Sequence, residues 1–354
     1  MTGGPGCSSE LAIFFENGPM KLENGEAVVK DISWNNEANL LYIDQPIGTG
    51  FSDANPEDIP GFEKDVATQF EIFILKFYEK FPAFKNRDLY ITGESYAGHY
   101  VPYVSEKVMS STTCKDAGIN LAGVAIGNGW VNPSVQLMAY APYAYEHNIL
   151  SFQSQVLYQL GFKLCATLLN LKIYSLASYV CGNIEPSVLG DPENPTYNCY
   201  DIRLGCEVPP LCYDFSAMET YLNRDDVQQA LDLKKQTWET CSEEVGNAMA
   251  KDYGSDVTPK VQALLSAGKK VLIYNGEYDY SCNWMGGLSW IQAMDWEHKE
   301  EFNNSDFSNI GFAESIRVEN LQFLKFLNAG HMVPMDQSEN ALKMLNDFMY
   351  KWDK

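Results

Sequence analysis

Four short apolar runs constrain the fold class more than anything else in the chain. Residues 39–46 (NLLYIDQP), 88–95 (DLYITGES), 120–129 (NLAGVAIGNG) and 269–281 (KKVLIYNGEYDYS) are rich in aliphatic, β-branched and aromatic residues and end in Gly, Pro or Ser. They lack polar alternation, so they read as strands buried on both faces, the condition of a parallel sheet. Between the first two lies FEKDVATQFEIFILKFYEKFP (62–82), apolar at helical spacing and stopped by Pro82. The chain closes on a second amphipathic segment, ENALKMLNDFMYKW (339–352). Strand and helix alternating in this way predict an α/β sheet.

The pattern changes between 133 and 257, where helical apolar segments, the proline-rich loop IEPSVLGDPENPTY (184–197) and Cys165, Cys181, Cys199, Cys206 and Cys212 replace the strand-like runs. This predicts a helical, disulfide-rich cap at 133–257 inserted into a core formed by 1–132 and 258–354. No C-x-x-C pair occurs among the nine cysteines, so a zinc or thioredoxin-like site is not indicated, and disulfides in an oxidising route are. Asn303 lies in a glycosylation sequon, Asn303-Asn304-Ser305. Residues 1–20 contain no basic segment followed by an apolar run. With these cysteines, that leaves a start lying further upstream or thiols that stay reduced. The net charge of -22 disfavours nucleic acid and anionic membranes as partners. The most apolar stretch, 157–181, carries Lys163 and Lys172 and is not expected to span a membrane.

Chemistry concentrates at ITGESYAGHY (91–100). A strand runs into Gly93-Glu94-Ser95-Tyr96-Ala97 and a helix follows, the context of a nucleophile elbow, in which small residues two positions either side of the serine permit a sharp turn. The partners should follow in the order acid, then histidine. Asp279 stands just past a strand-like run, and His331 lies in a Gly/Pro-bounded loop, FLNAGHMVPMDQ, before the last helix. Of the other three histidines, His99 reads as a structural helix residue, His147 falls in the cap segment, and His298 reads as a surface residue.

GGPGCSS (3–9), GESYAGHY (93–100), IGNG (126–129) and AGHMVP (329–334), in this order, resemble the motifs of the serine carboxypeptidases, from residue 3 to the C-terminus. The resemblance implies the α/β-hydrolase fold, a mostly parallel sheet with a helical cap, and a Ser95–His331–Asp279 triad needing no metal or organic cofactor. It implies an oxyanion hole from the amides of Gly4 and Tyr96. A substrate's terminal carboxylate would be read by Glu16, Glu94, the Gly3 amide and Thr2, which stands where the family has asparagine. The leaving-residue pocket would be lined by Phe15, Tyr200, Tyr213 and Met332, with Leu11 and Ser216 at its edge. The pocket before the scissile bond would be lined by Trp130, Leu137, Tyr140, Tyr253 and Ser281, with Cys282 a free thiol nearby. The family pattern pairs Cys7 with Cys241 and Cys206 with Cys212, and leaves three pairings open among Cys114, Cys165, Cys181 and Cys199. It also implies a strand before Thr2, an upstream segment and a secretory leader.

The reading is therefore a carboxypeptidase acting on peptide or protein C-termini with hydrophobic preference at acidic pH, lysosomal, vacuolar or secreted, of unassigned oligomeric state. Two alternatives stay open: an acyltransferase built on the same triad, and a catalytically impaired binding protein.

Overall fold

The computed structural model describes residues 1–191 and 193–352. Its main sheet is built on strands β1 (Asp88–Glu94), β2 (Asn120–Gly127), β3 (Lys270–Gly276), β4 (Ala313–Val318) and β5 (Leu321–Phe326). The spatial order is β1-β2-β3-β5-β4, closed at the β4 edge by the two-residue strand Ser308–Asn309. Strands β1, β2, β3 and β5 run parallel, β4 pairs antiparallel with β5, and the last edge strand pairs antiparallel with β4.

Both faces of the sheet are apolar, which is why the runs show no alternation in sequence. Ile91, Val124, Ile126, Val271, Ile273 and Phe323 face one side. There they meet Val66, Phe70 and Ile74 of α1 (Glu63–Lys80) and Tyr100, Val101 and Val104 of α2 (Ala97–Ser110). Ala125, Leu272, Tyr274, Leu324 and Phe326 face the other side, against Met344, Leu345 and Phe348 of the C-terminal helix, Ser338–Tyr350. Neighbouring residues of one strand thus serve opposite layers, as the two-residue period of a strand requires. The parallel strands end together: Glu94 lies opposite Gly127 and Gly276 opposite Phe326. With helices on both faces of a mostly parallel sheet, the architecture is that of an α/β-hydrolase.

One predicted strand is not one. Residues 39–46 are irregular, and no strand pairs with them among the described residues. The free edge of β1 is taken by Met1, whose nitrogen donates to Thr92 O (2.9 Å) and whose carbonyl accepts from Glu94 N (3.1 Å). The 39–46 run passes outside it, tied through Ser9 Oγ to Ile43 O (2.6 Å) and Ser9 N to Asp44 Oδ1 (2.8 Å). An apolar run becomes a strand only where a ladder partner exists. Conversely, the β4–β5 hairpin is absent from the sequence reading. Its signal is the alternation in ESIRVENLQFLKF around Glu319, whose φ of +49° makes the turn.

Within 133–257 the longest elements are the helices α3 (Phe152–Asn170) and α4 (Tyr174–Ser187), joined by Cys165–Cys181. Disulfides also link Cys7 to Cys241 (S–S 2.02 Å) and Cys206 to Cys212 (2.04 Å), leaving Cys114, Cys199 and Cys282 free. Asn303 is exposed at the end of a short helix, its Nδ2 donating to Gln292 O (3.2 Å). No helix among the described residues is long and apolar enough to cross a membrane.

Phe348 is 1 % exposed, with its ring edge-on to Tyr90 (5.3 Å) and Trp352 (5.4 Å). Phe348→Ala is expected to cost about 3–5 kcal/mol in urea denaturation. Leu157→Ser, at a position 69 % exposed, is expected to change stability by less than about 0.5 kcal/mol.

Candidate active site

The site lies where β1, β2, β3 and β5 end, the edge at which open α/β sheets bind ligands. Ser95 follows β1 directly and sits at φ +63°, in the left-handed region that non-glycine residues rarely enter. The turn is possible because its surroundings are small. A Cβ at Gly93 would lie 2.6 Å from Ala97 Cβ and 2.8 Å from Val101 Cγ2, and one at Gly98 would lie 2.6 Å from Trp130 N. The helix α2 then starts at Ala97, with Gly98 N bonded to Ser95 O (2.8 Å) and Trp130 N donating to the same carbonyl (2.9 Å).

Asp279 and His331 arrive from beyond the ends of β3 and β5. Asp279 is fully buried, and its Oδ2 accepts from His331 Nδ1 (2.7 Å), Asn128 Nδ2 (2.7 Å) and Cys282 N (3.2 Å). That contact places the imidazole proton on Nδ1 whenever Asp279 is ionised and leaves Nε2 as the basic nitrogen. His331 is seated by its own amide on Tyr200 O (2.7 Å). Gly330 is required there, because a Cβ would meet Tyr200 O at 2.5 Å. Among the described residues Ser95 Oγ makes no hydrogen bond, and Nε2 of His331 lies 4.0 Å from Glu94 Oε1. Asn128 was given no role from sequence alone. Its place in IGNG, one residue past β2, was the available signal, and its left-handed φ of +41° turns the amide toward Asp279.

The opening glycine turn packs onto the elbow. A Cβ at Gly3 would lie 2.3 Å from Tyr96 N and 2.9 Å from Ser95 Cβ, so only glycine fits. Gly4 follows at φ +114°, and Cys7 N closes the turn on Gly3 O (3.0 Å). Among the described residues no protein acceptor takes the amides of Gly4 or Tyr96. The Cys7–Cys241 bond and Gly6 N to Tyr100 Oη (3.3 Å) fix the turn from behind. Thr2 is held by its backbone, N donating to Ser9 Oγ (3.2 Å).

Glu16 and Glu94 are both buried, at 5 % and 8 % exposure. Burial, then the nearby Glu16 carboxyl, hold Glu94 well above the carboxylate range. Beneath the elbow Glu63 is wholly buried, and burial, then the Asp252 charge, raise its carboxyl well above the carboxylate range.

Aromatic walls flank the nucleophile. On one side Phe15 meets Phe215 edge-on (4.9 Å), Tyr213 stands 6.3 Å from Tyr200, and Met332 joins the same cluster as Leu11. A cavity of ≈ 520 Å³ opens beyond Phe15 and Glu16, between Lys30 and Met335. On the other side Tyr253 stacks on Tyr96 (5.5 Å) and takes the Trp130 indole N–H on its carbonyl (3.0 Å). Leu137 and Tyr140 of this group are buried in the core, whereas Tyr253 is 44 % exposed. His99 sits behind, stacked on Tyr96 (4.7 Å), with Nδ1 on Trp130 O (2.6 Å) and Nε2 on Ser255 O (3.1 Å). Asp279, Cys282 and His331 each offer a potential ligand atom within 4.8 Å of the others. Oδ2 and Nδ1 are already committed to one another, and burial pushes the Cys282 thiol up, away from the thiolate a metal needs.

The serine carboxypeptidase family model matches residues 1–351. Serine carboxypeptidase-like 48 of Arabidopsis thaliana is 39 % identical over 99 % of this chain and 71 % of its own length. Serine carboxypeptidase 3 of Hordeum vulgare is 40 % identical over 98 % of this chain and 71 % of its own length. The solved structure of Kex1(delta)p, a prohormone-processing carboxypeptidase of Saccharomyces cerevisiae, superposes with a TM-score of 0.86. It is 25 % identical, over 99 % of this chain and 82 % of that one.

The raised carboxyls fix a pH dependence of stability. Glu63 and Glu94 hold their protons above the ordinary value of 4.5, so the folded state binds more protons than the unfolded state as pH rises past 4.5. Their contribution is complete below 4.5 and is lost as pH climbs toward the folded values. Tm is expected to fall by several degrees between pH 5 and 8, and Glu63→Gln to flatten that slope. A Tm that rises over this interval contradicts the assignment.

Proposed function

The chain belongs to the serine carboxypeptidase family, and on that premise we propose that Ser95, His331 and Asp279 remove C-terminal residues from peptides. Ser95 Oγ attacks the last peptide carbonyl carbon while His331 Nε2 takes the hydroxyl proton, and Asp279 stabilises the imidazolium that forms. The resulting oxyanion is met by the amides of Gly4 and Tyr96, which supply charge where it develops. His331 returns the proton to the departing amine nitrogen, the C–N bond breaks, and an acyl ester remains on Ser95. Water, deprotonated by the same nitrogen, then releases the shortened peptide.

The observation that carries this reading is the buried Asp279–His331 contact (2.7 Å) at the strand ends, beside a serine held at positive φ under a glycine turn with two free amides. Restriction to the chain terminus follows from the Glu16–Glu94 pair. With one shared proton it can donate to a substrate carboxylate, and once that proton leaves, three negative charges would meet. The apolar and aromatic walls around Phe15 and Tyr253 favour hydrophobic side chains. The segment 133–257 acts as a cap over the strand ends. Acidic working pH, as in a vacuolar, lysosomal or extracellular setting, is consistent with these proton-holding carboxyls and with the net charge of -22.

Ser95→Ala and His331→Ala are each expected to lower kcat by at least about 10⁴-fold with folding intact, and Asp279→Asn to lower it comparably. Full activity of purified Ser95→Ala would overturn the mechanism. An alcohol acceptor yielding chiefly ester product would assign acyl transfer instead of hydrolysis. KM for a peptide acid is expected to rise toward alkaline pH and that for the matched amide to stay level, a contrast that Glu16→Gln/Glu94→Gln abolishes. Parallel profiles for acid and amide in the wild type would remove the carboxylate-reading role.

A further inference from the structure

The loops that carry Asp279 and His331 both rest on one short turn of the inserted segment, residues 199–203. Cys199 O accepts from Tyr280 N (3.1 Å) and Ser281 N (3.0 Å), and Ile202 N donates to Tyr278 O (3.0 Å), so the turn brackets Asp279. On the other side Tyr200 O accepts from His331 N (2.7 Å), and the Tyr200 ring lies 4.8 Å from the imidazole. The approach there is close. A Cβ at Gly330 would lie 2.5 Å from Tyr200 O and 2.9 Å from Asp201 Cβ.

A single guanidinium fastens this arrangement. Arg203 Nε and Nη2 grip the Asp201 carboxylate (2.9 and 2.5 Å), which is 1 % exposed. Nη1 donates to Asn328 O (3.2 Å) and Nη2 also to Asp336 Oδ2 (3.3 Å), so Arg203 holds the His331 loop on both sides of the histidine. The same Asp336 oxygen accepts from Gly330 N (2.6 Å), the amide directly before His331. The guanidinium also lies over the Tyr278 ring (4.6 Å), one residue before Asp279.

These partners need an arginine. Two carboxylates, a carbonyl and a ring face are met by one planar fork, whereas an ammonium is a point charge on a flexible stem and cannot span them. Among the described residues Arg203 is the only base paired with Asp201 or Asp336, so its loss leaves two carboxylates on facing segments with no cation between them. Ion pairs between exposed side chains contribute little. Here the acid on one side is buried, and every other partner belongs to a loop bearing a member of the triad.

We propose that Arg203 is a positioning residue: through Asp201 and Asp336 it holds the His331 loop in the pose where Nδ1 meets Asp279 and Nε2 is left to act as the base. This rests on the peptidase reading above. Glu16, Glu94 and Phe15 come from a different part of the chain, so loosening this clamp leaves them in place and weakens proton transfer more than binding.

The test is kcat and KM for an N-acylated dipeptide ending in leucine, in wild type, Arg203→Lys, His331→Ala and the double variant. Arg203→Lys is expected to lower kcat about 10- to 100-fold, the scale of a misplacement of about 1 Å, with KM within about three-fold of wild type. Added to His331→Ala, it is expected to lower the residual kcat by less than about two-fold, because no imidazole is left to position. Asp336→Ala cuts the clamp from the loop side and is expected to give the same kcat loss and the same silence beside His331→Ala. Should Arg203→Lys fold poorly, the Asp336→Ala cycle decides in its place. The downfield proton resonance of His331 Nδ1–H, held by Asp279, reads the pose without turnover and is expected to broaden in both single variants. Unchanged kcat, an equal kcat loss with and without His331, or an unaltered Nδ1–H resonance overturns the proposal. His331→Ala as active as wild type removes the peptidase reading and this proposal together, whereas an inactive His331→Ala beside a fully active Arg203→Lys removes this proposal alone.

Discussion

The backbone of Ser95 at φ +63° is the constraint from which most of the site follows. A non-glycine residue in that region costs of order 1–3 kcal/mol and persists only where its surroundings over-determine it. Here they do so through closeness. Gly93 leaves room for Ala97, Gly98 leaves room for Trp130, and Gly3 leaves room for the Tyr96 amide, each at a distance that one methyl group would violate. The same approach that allows the turn also seats the opening glycine turn against the Tyr96 amide.

The second organising principle is where protons reside. This chain carries 47 acidic residues against 25 lysines and arginines, and several of its carboxyls are buried beside the site. Asp279 has donors aimed at it, from His331, Asn128 and the Cys282 amide. Glu63 and Glu94 have burial and acidic neighbours instead, and hold their protons. The distinction is local and chemical: N–H groups facing a carboxyl favour its anion, and carboxyls facing it favour the neutral acid.

Much of this was legible in the chain. The parallel sheet could be read from runs apolar on both faces, and the elbow from small residues flanking a serine between a strand and a helix. The order of Ser95, Asp279 and His331 could be read from strand-like runs before the first two and from a Gly/Pro-bounded loop before the last helix for the third. The reading failed where a residue's state depends on a neighbour distant in sequence. The run at 39–46 has every strand property, but Met1 occupies the edge it would need. Asn128 looks like a turn residue until the chain places it against Asp279, 151 positions away.

Composition, periodicity and motif order therefore determined the fold class and singled out the candidate reacting side chains, because these depend on local pattern. Tertiary structure alone decided which carboxyls stay protonated, and which aromatic residues beside the site stay exposed and which lie in the core. Those outcomes depend on burial and on through-space neighbours, and no spacing along the chain encodes either.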